Sequence, residues 1–329
     1  MSSSSSFRSS PSAPLAPPLQ YCSVCGHQSS LRCSKCLGAL YCSVTCQKQD
    51  WKTHKVTCKE AERLKKNLEE KGYRTVEEID AKLEQVSRLA ELGDTSAQFN
   101  LGGLYFNGLG VSVDKVEGVK WYKLAAEKGD AKAQFNLGAT YFHGYGVSVD
   151  KVESVKWFRL AAEQGDAMAQ LNLGSAYFEG DNVSVDKVES VKWFRLAAAQ
   201  GNVKAQFNLG NAYYYGNGVS VNKAEAVKWY RKAAELHLAM AQLNLGNAYF
   251  EGDGVSIDIV ESVKWYRLAA AQGLAEAQFN LGIAYVEGAG VSVDKGEAVK
   301  WYRLAAAQGH ENAQASLCAL HHNGEGIDS

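Results

Sequence analysis

The feature that limits this chain most is a period. A-x-Q-F-N-L-G from Ala133, then Y-F-x-G-x-G-V-x-V-D, then K-x-E-x-V-K-W-F-R-L-A-A-x-x-G to Gly165, recurs every 36 residues without a slip. The Gln returns at Gln98, Gln134, Gln170, Gln206, Gln242, Gln278 and Gln314. The Trp returns at Trp121, Trp157, Trp193, Trp229, Trp265 and Trp301. A fixed period of this length means stacked supersecondary units. Each is too small to bury a core alone, and a stack of them buries a continuous one.

Within the unit, Ala133, Leu137, Gly138 and Tyr141 fall at helical spacing on one face. Gly138 costs a helix about 1 kcal/mol against Ala, so its recurrence implies close approach of a neighbouring helix. Gly144 and Gly146 end this first helix, and Asn182 stands in for the second of them in the third unit. Asp150 opens a second helix as N-cap, with Glu153 completing a capping box. Ser154, Phe158, Ala161 and Ala162 form its packed face; Gly165 closes it, with His237 as a poor substitute two units later. Tyr177, which matches Tyr141, reads as a buried aromatic.

The motif L-G-x-x-Y-x-x-G-x-G-V, the Asp after it and W-[YF]-x-x-A-A-x-x-G together resemble the Sel-one-like repeat, a relative of the tetratricopeptide repeat. They match in six consecutive units, from Ala97 to Gly309. The resemblance implies an all-α fold, a right-handed α-solenoid of helix pairs. It also implies an interaction scaffold.

Seven of the eight Cys crowd into residues 22–58. Their pattern is C-x2-C, C-x2-C, C-x3-C and H-x3-C. The candidate ligands are Cys22, Cys25, Cys33, Cys36, Cys42, Cys46, His54 and Cys58. No secretory signal precedes them, so the cluster reads as metal ligation and not as a disulfide framework. Eight such ligands make two complete four-coordinate zinc sites, with no position left for a reacting water. Both sites are therefore expected to be structural, with two Zn2+ per chain. Tyr41 to Cys58, with its Q-x-x-D-W element, resembles the MYND-type zinc finger in ligand count, order and spacing. That resemblance implies interleaved pairing, Cys22, Cys25, Cys42 and Cys46 on one zinc and Cys33, Cys36, His54 and Cys58 on the other. Spacing alone also permits sequential pairing. It further implies a peptide-binding surface at Ser34, Gln47 and Trp51 for short Pro- and Leu-containing segments. Gln47 and Trp51 are four apart in a segment that reads as a short helix, so they share a face.

The domains follow: a Ser/Pro-rich disordered tail over 1–20, the finger over 21–59, a charged helical linker and N-terminal cap over 60–94, and the array over 95–329. Gly93-Asp94 aligns with Gly129-Asp130, so residues 75–93 read as a degenerate second helix. At the other end Cys318 replaces the helix Gly, and His321-His322 replace Tyr-Phe, as suits a terminal cap. Cys318 reads as a small buried residue.

Net charge is −1, and residues 96–329 carry 21 basic against 25 acidic side chains. The ligated finger is only weakly positive. Both balances argue against nucleic acid as the partner. No run approaches the roughly 18 apolar residues of a membrane span. The chain is expected in the cytoplasm or nucleus. Glu117, Glu153, Glu189, Glu225, Glu261 and Glu297 stand three residues before a Lys column, as i,i+3 pairs on a solvated face. Asn100, Asn136, Asn172, Asn208, Asn244 and Asn280 form a further column; such amides suit either an extended peptide backbone or a bond within their own unit. Two positions vary from unit to unit: Asn107, His143, Glu179, Tyr215, Glu251 and Glu287, and Gly103, Ala139, Ser175, Asn211, Asn247 and Ile283. They are candidates for specificity.

No nucleophile with a base, phosphate-cradling Gly loop or open metal site is present. The reading is a non-enzymatic adaptor with protein or peptide partners and no small-molecule substrate. The enzymatic alternative is a MYND-associated protein methyltransferase, and a third class is a regulatory nucleic-acid-associated factor.

Overall fold

A computed structural model of the chain describes residues 31–32, 40–41, 76–181 and 183–322, with side chains described from residue 81 onward in the helical part. Asn182, the zinc ligands and Ser34, Gln47 and Trp51 lie outside the described residues. Two compact units divide the chain, Met1–Gln85 and Val86–Ser329. In the first, strands β1 (Leu31–Arg32) and β2 (Leu40–Tyr41) pair antiparallel, Leu31 opposite Tyr41 and Arg32 opposite Leu40. Every other regular element among the described residues is an α-helix.

After the helix Val76–Glu91, the second unit is a right-handed α-solenoid. Six helix pairs follow one another, from Thr95–Asn107 with Lys115–Glu127 to Ala275–Glu287 with Lys295–Ala307. The last helix is Glu311–His322. From Thr95–Asn107 onward, each helix packs on the next. The pairs are numbered units 1 to 6 below.

The local reasons for each helix are legible. Asp130 accepts from Ala133 N–H at 2.7 Å and opens the first helix of unit 2. Gly144, at φ 73°, ends that helix in the left-handed region. Asp150 accepts from Glu153 N–H at 2.9 Å and opens the second helix. The expected capping box is only half formed. Asp150 N–H already donates to Tyr141 C=O, so Glu153 turns forward to Lys156 at 2.8 Å. The same Glu–Lys pair forms in all six units.

The core is built from small residues around one ring per unit. Ala133, Leu137, Phe158, Ala161 and Ala162 are buried in unit 2, and their counterparts repeat along the stack. Gly138 faces that ring: a Cβ there would stand 2.7 Å from Phe158 Cδ1. The close approach implied by this glycine is therefore made by a side chain of the unit's own second helix. Tyr177 is not the buried aromatic; it is half-buried and accepts from Arg159 at 2.6 Å. The buried ring of unit 3 is Phe194. Position on a helical stripe cannot distinguish the two, because only one of them faces the glycine.

The ends also differ in part from expectation. Val76–Glu91 does act as a second helix, since Gln98 Nε2 donates to Ala90 C=O just as Gln134 Nε2 donates to Ala126 C=O. At the C-terminus Ala313 and Leu320 are buried against unit 6. Cys318, expected buried, is exposed. The ring that covers the matching glycine in units 1–6 comes from a second helix, and the described residues end at His322.

Candidate functional site

The Gln column is a clamp. Gln134 Nε2 donates to Ala126 C=O of unit 1 at 3.0 Å, and its Oε1 accepts from Gln164 of its own unit at 2.7 Å. One buried amide thus ties three helices. Gln170, Gln242 and Gln278 repeat both bonds. At Gln98 and Gln206 the acceptor oxygen is buried and unpaired, because Lys128 and Leu236 stand where Gln164 does in unit 2. The sequence showed this column, but nothing in it disclosed the role.

A second tie crosses the four seams from unit 2 to unit 6. Arg159, Arg195, Arg231 and Arg267 donate to the hydroxyls of Tyr177, Tyr213, Tyr249 and Tyr285 in the next unit. Two members of the Asn column, Asn136 and Asn244, also reach the preceding unit, a use that neither alternative offered by their chemistry foresaw. Asn136 faces the Tyr122 hydroxyl of the preceding unit, and Asn244 Nδ2 donates to Asn211 Oδ1 at 3.5 Å, the same oxygen that accepts from the Tyr230 hydroxyl at 2.7 Å. Burial pushes the Tyr122 and Tyr230 hydroxyls upward from the usual phenol range. The Gln, Arg and Tyr columns are therefore occupied in holding units together.

Between units, cavities recur at equivalent places. The cavity of units 2 and 3 has about 300 Å³ and is lined by Ala139, His143, Phe158, Asn172, Ser175 and Glu179, among others. That of units 5 and 6 has about 260 Å³, with Asn247, Glu251, Tyr266, Asn280, Ile283 and Glu287 at matching positions. Between units 4 and 5 the cavity shrinks to about 70 Å³ against Tyr214 and Tyr215. The two variable positions seen in the sequence, His143 with Glu179 and Ala139 with Ser175, line these cavities. A further pair lies beside them. Lys115 stands over the Tyr145 ring, Lys151 pairs with Asp181, Lys187 with Asn217 and Lys223 with Asp253. Ile259 and Ala289 occupy the same two places in the last cavity.

The Sel1 repeat model matches six consecutive stretches: 95–130, 131–166, 167–202, 203–238, 239–274 and 275–310. The chain belongs to the Sel1 repeat family. A MYND finger matches residues 22–58. Among solved structures, the Sel1-like protective antigen c5321 of uropathogenic Escherichia coli is 43% identical at a TM-score of 0.72, over 74% of this chain and 53% of that one. A Sel1 repeat protein from Oxalobacter formigenes is 36% identical at 0.58, over 65% and 85%. Curated relatives match over short stretches. Tudor domain-containing protein 1 of Danio rerio is 49% identical over 41 residues, 12% of this chain and 4% of its own length. Egl nine homolog 1 of Homo sapiens is 48% identical over 44 residues, 13% and 10%. The chain thus spans a small fraction of those relatives.

MYND fingers bind zinc, and the donor set here, seven thiols and one imidazole within residues 22–58, fits that metal. Among the described residues no group of His, Cys, Asp or Glu could hold a metal ion, the His321-His322 pair included. No helix among them is long and apolar enough to cross a membrane. MYND fingers and Sel1 repeats are generally protein-interaction modules.

Proposed function

We propose that this chain is a non-enzymatic adaptor of the cytoplasm or nucleus that joins two protein partners. The finger, over 21–59, holds two structural zinc ions and takes a short Pro- and Leu-containing peptide at Ser34, Gln47 and Trp51. The array, over 95–329, takes a second protein along the line of inter-unit cavities; the tail over 1–20 and the linker over 60–94 serve these two parts.

The observation that supports the reading most is a division of labour. The Gln, Arg and Tyr columns are spent on inter-unit bonds. The residues that line the cavities are less constant: His143, Glu179 and Tyr215 at one position, and Ala139, Ser175, Asn247 and Ile283 at the other. A constant scaffold with a changing lining suits recognition of an extended partner by several small contacts.

Affinity capture tests it with three proteins: the full chain, residues 60–329, and the full chain carrying Ser175→Trp and Ile283→Trp to fill the two larger cavities. The expected result is one set of partners lost with the finger and another lost on filling the cavities. Identical partner sets in all three refute the two-site adaptor. Methyl transfer from S-adenosylmethionine by the full chain would overturn the non-enzymatic assignment.

A further inference from the structure

The cavity of units 5 and 6 differs from its counterparts in charge. At the seams of units 2/3 and 4/5, a Lys reaches across to an Asp at 2.7 Å, Lys151 to Asp181 and Lys223 to Asp253. Ile259 and Ala289 replace both partners at the 5/6 seam. The change removes the basic side chain and leaves an aliphatic wall. Two glutamates, Glu251 and Glu287, line this cavity, where the 2/3 cavity has His143 and Glu179. Both are exposed, and neither has a hydrogen-bond or ion-pair partner among the described residues. Glu276, also on the wall, is taken by His310 at 2.9 Å. Asn280 is free as well, because the Tyr266 hydroxyl donates to Asn247 at 2.7 Å. Phe250 adds an exposed ring. Units 5 and 6 together carry eight acidic and five basic side chains.

Resting on the groove reading above, we propose that this cavity receives a basic side chain, arginine ahead of lysine, from an extended segment of the partner protein. The volume suits one long side chain and falls short of the roughly 300 Å³ at which small-molecule sites begin. An arginine stem lies along Ile259 and Phe250 while its head stays wet. The planar guanidinium presents donors in a fork and serves two carboxylates at once, which the point charge of lysine does less well. The Asn280 amide is left to bond the partner's backbone. The acidic wall excludes a phosphate backbone.

Ile259 and Ile283 make the site readable. The chain has five isoleucines, and these two line the cavity. The full zinc-loaded chain, methyl-labelled at isoleucine, is titrated with the acetylated, amidated heptapeptide Ala-Ala-Gly-Arg-Gly-Ala-Ala. A matched peptide carries citrulline, which keeps the shape and removes the charge. The expected result is shifted Ile259 and Ile283 methyls, with the arginine peptide binding about tenfold more tightly than the citrulline one. Glu251→Gln with Glu287→Gln should erase that difference. Ile259→Lys with Ala289→Asp installs the ion pair already present at two other seams, so the fold has a precedent for it; binding should be lost with the helical signal unchanged. Equal affinity for both peptides overturns the proposal and leaves an uncharged groove. Shifts confined to Ile79, Ile257 or Ile327, or none at millimolar peptide, overturn it too. The adaptor reading fails separately, when the cavity-filling variants change no partner.

Discussion

Repairing the clamp of unit 4, which ties its two helices to unit 3, should stabilise the array. Three residues there depart from the pattern, Leu236, His237 and Leu238. Leu236 cannot donate to Gln206, whose Oε1 is buried and unpaired. His237 is the one non-glycine residue at positive φ among the described residues, at 64°. Leu238 gives no side-chain cap, but it packs on the unit 4/5 core, so changing it trades one gain for one loss. The clean perturbation is therefore Leu236→Gln with His237→Gly. Giving a buried acceptor its partner is worth about 1 kcal/mol, and more where desolvation was complete. Leu236 is 52% exposed, so little burial is lost. Releasing a Cβ from the left-handed region returns ~1–2 kcal/mol, against ~0.5–1 kcal/mol for the freer unfolded glycine. The sum is about 2 kcal/mol. Native-state hydrogen exchange across 223–251 should slow about 30-fold, with distant units changing less. The reverse transplant, Gln164→Leu with Gly165→His, should speed exchange around Gln134, which then loses its 2.7 Å donor. Unchanged exchange in both variants would refute the clamp as a source of stability.

Phe194→Ala removes a buried ring and should cost ~3–5 kcal/mol, with damage concentrated in unit 3 and its neighbours; uniform loss of exchange protection across all units would contradict this. Stability should fall at alkaline pH. The Asp253 carboxylate holds the Tyr214 hydroxyl up at about 12, and burial holds Tyr266 at about 12. Both values are raised, so their contribution is whole below the unfolded pKa near 10 and is lost as pH rises from about 10 to 12. Urea midpoints against pH, with tyrosinate absorbance, check it; a flat profile over that window would be wrong for these environments. Elemental analysis should find two zinc ions per chain, and chelation should melt the finger while the array's helical signal survives. A Pro-Pro-Leu peptide, like Pro17-Pro18-Leu19 of the tail, should bind weakly and be lost in Trp51→Ala at unchanged zinc content; loss of zinc with it would make Trp51 structural.

The scaffold was legible because its signals are redundant. Six copies of Gly144 and five each of Gly146, Asp150 and Gly165 fix both helices, and averaging over copies removes the ambiguity of any single one. The finger was legible by spacing alone, since few other chemistries need eight such ligands so close together. What stayed hidden depends on which side of a helix meets which neighbour. Tyr177 and Phe194 look alike in a helical stripe, and only Gly174, where a Cβ would stand 2.7 Å from the Phe194 ring, selects Phe194. Cys318 occupies a core position by pattern, yet nothing among the described residues covers it. The Asn column has the chemistry of a peptide ligand, yet Asn136 is turned to Tyr122 and Asn244 to Asn211, while Asn280 stays free among the described residues. The cavity lining was half legible. Varying positions such as His143 and Ile283 stood out, but the exchange of Lys223 and Asp253 for Ile259 and Ala289 gains meaning only once they are known to face one another.

The energetics of that exchange bear on what it does. The Lys151–Asp181 and Lys223–Asp253 pairs are both more than a fifth exposed on each partner, so each is worth ~0–1 kcal/mol. Replacing both members by Ile259 and Ala289 therefore changes stability little. Replacing one would strand a charge beside an apolar wall; replacing both avoids this. The fold is indifferent, while the surface is not. Glu251 and Glu287 lose the one cation that this position supplies at other seams, and the wall beside them becomes aliphatic. A change that is neutral for the scaffold and large for the groove's electrostatics acts on what the groove admits. Reverting Ile259 and Ala289 to Lys and Asp should then leave the urea midpoint within about 1 kcal/mol of the parent and abolish arginine-peptide binding. A variant that instead unfolds would place the pair among the residues that hold the stack.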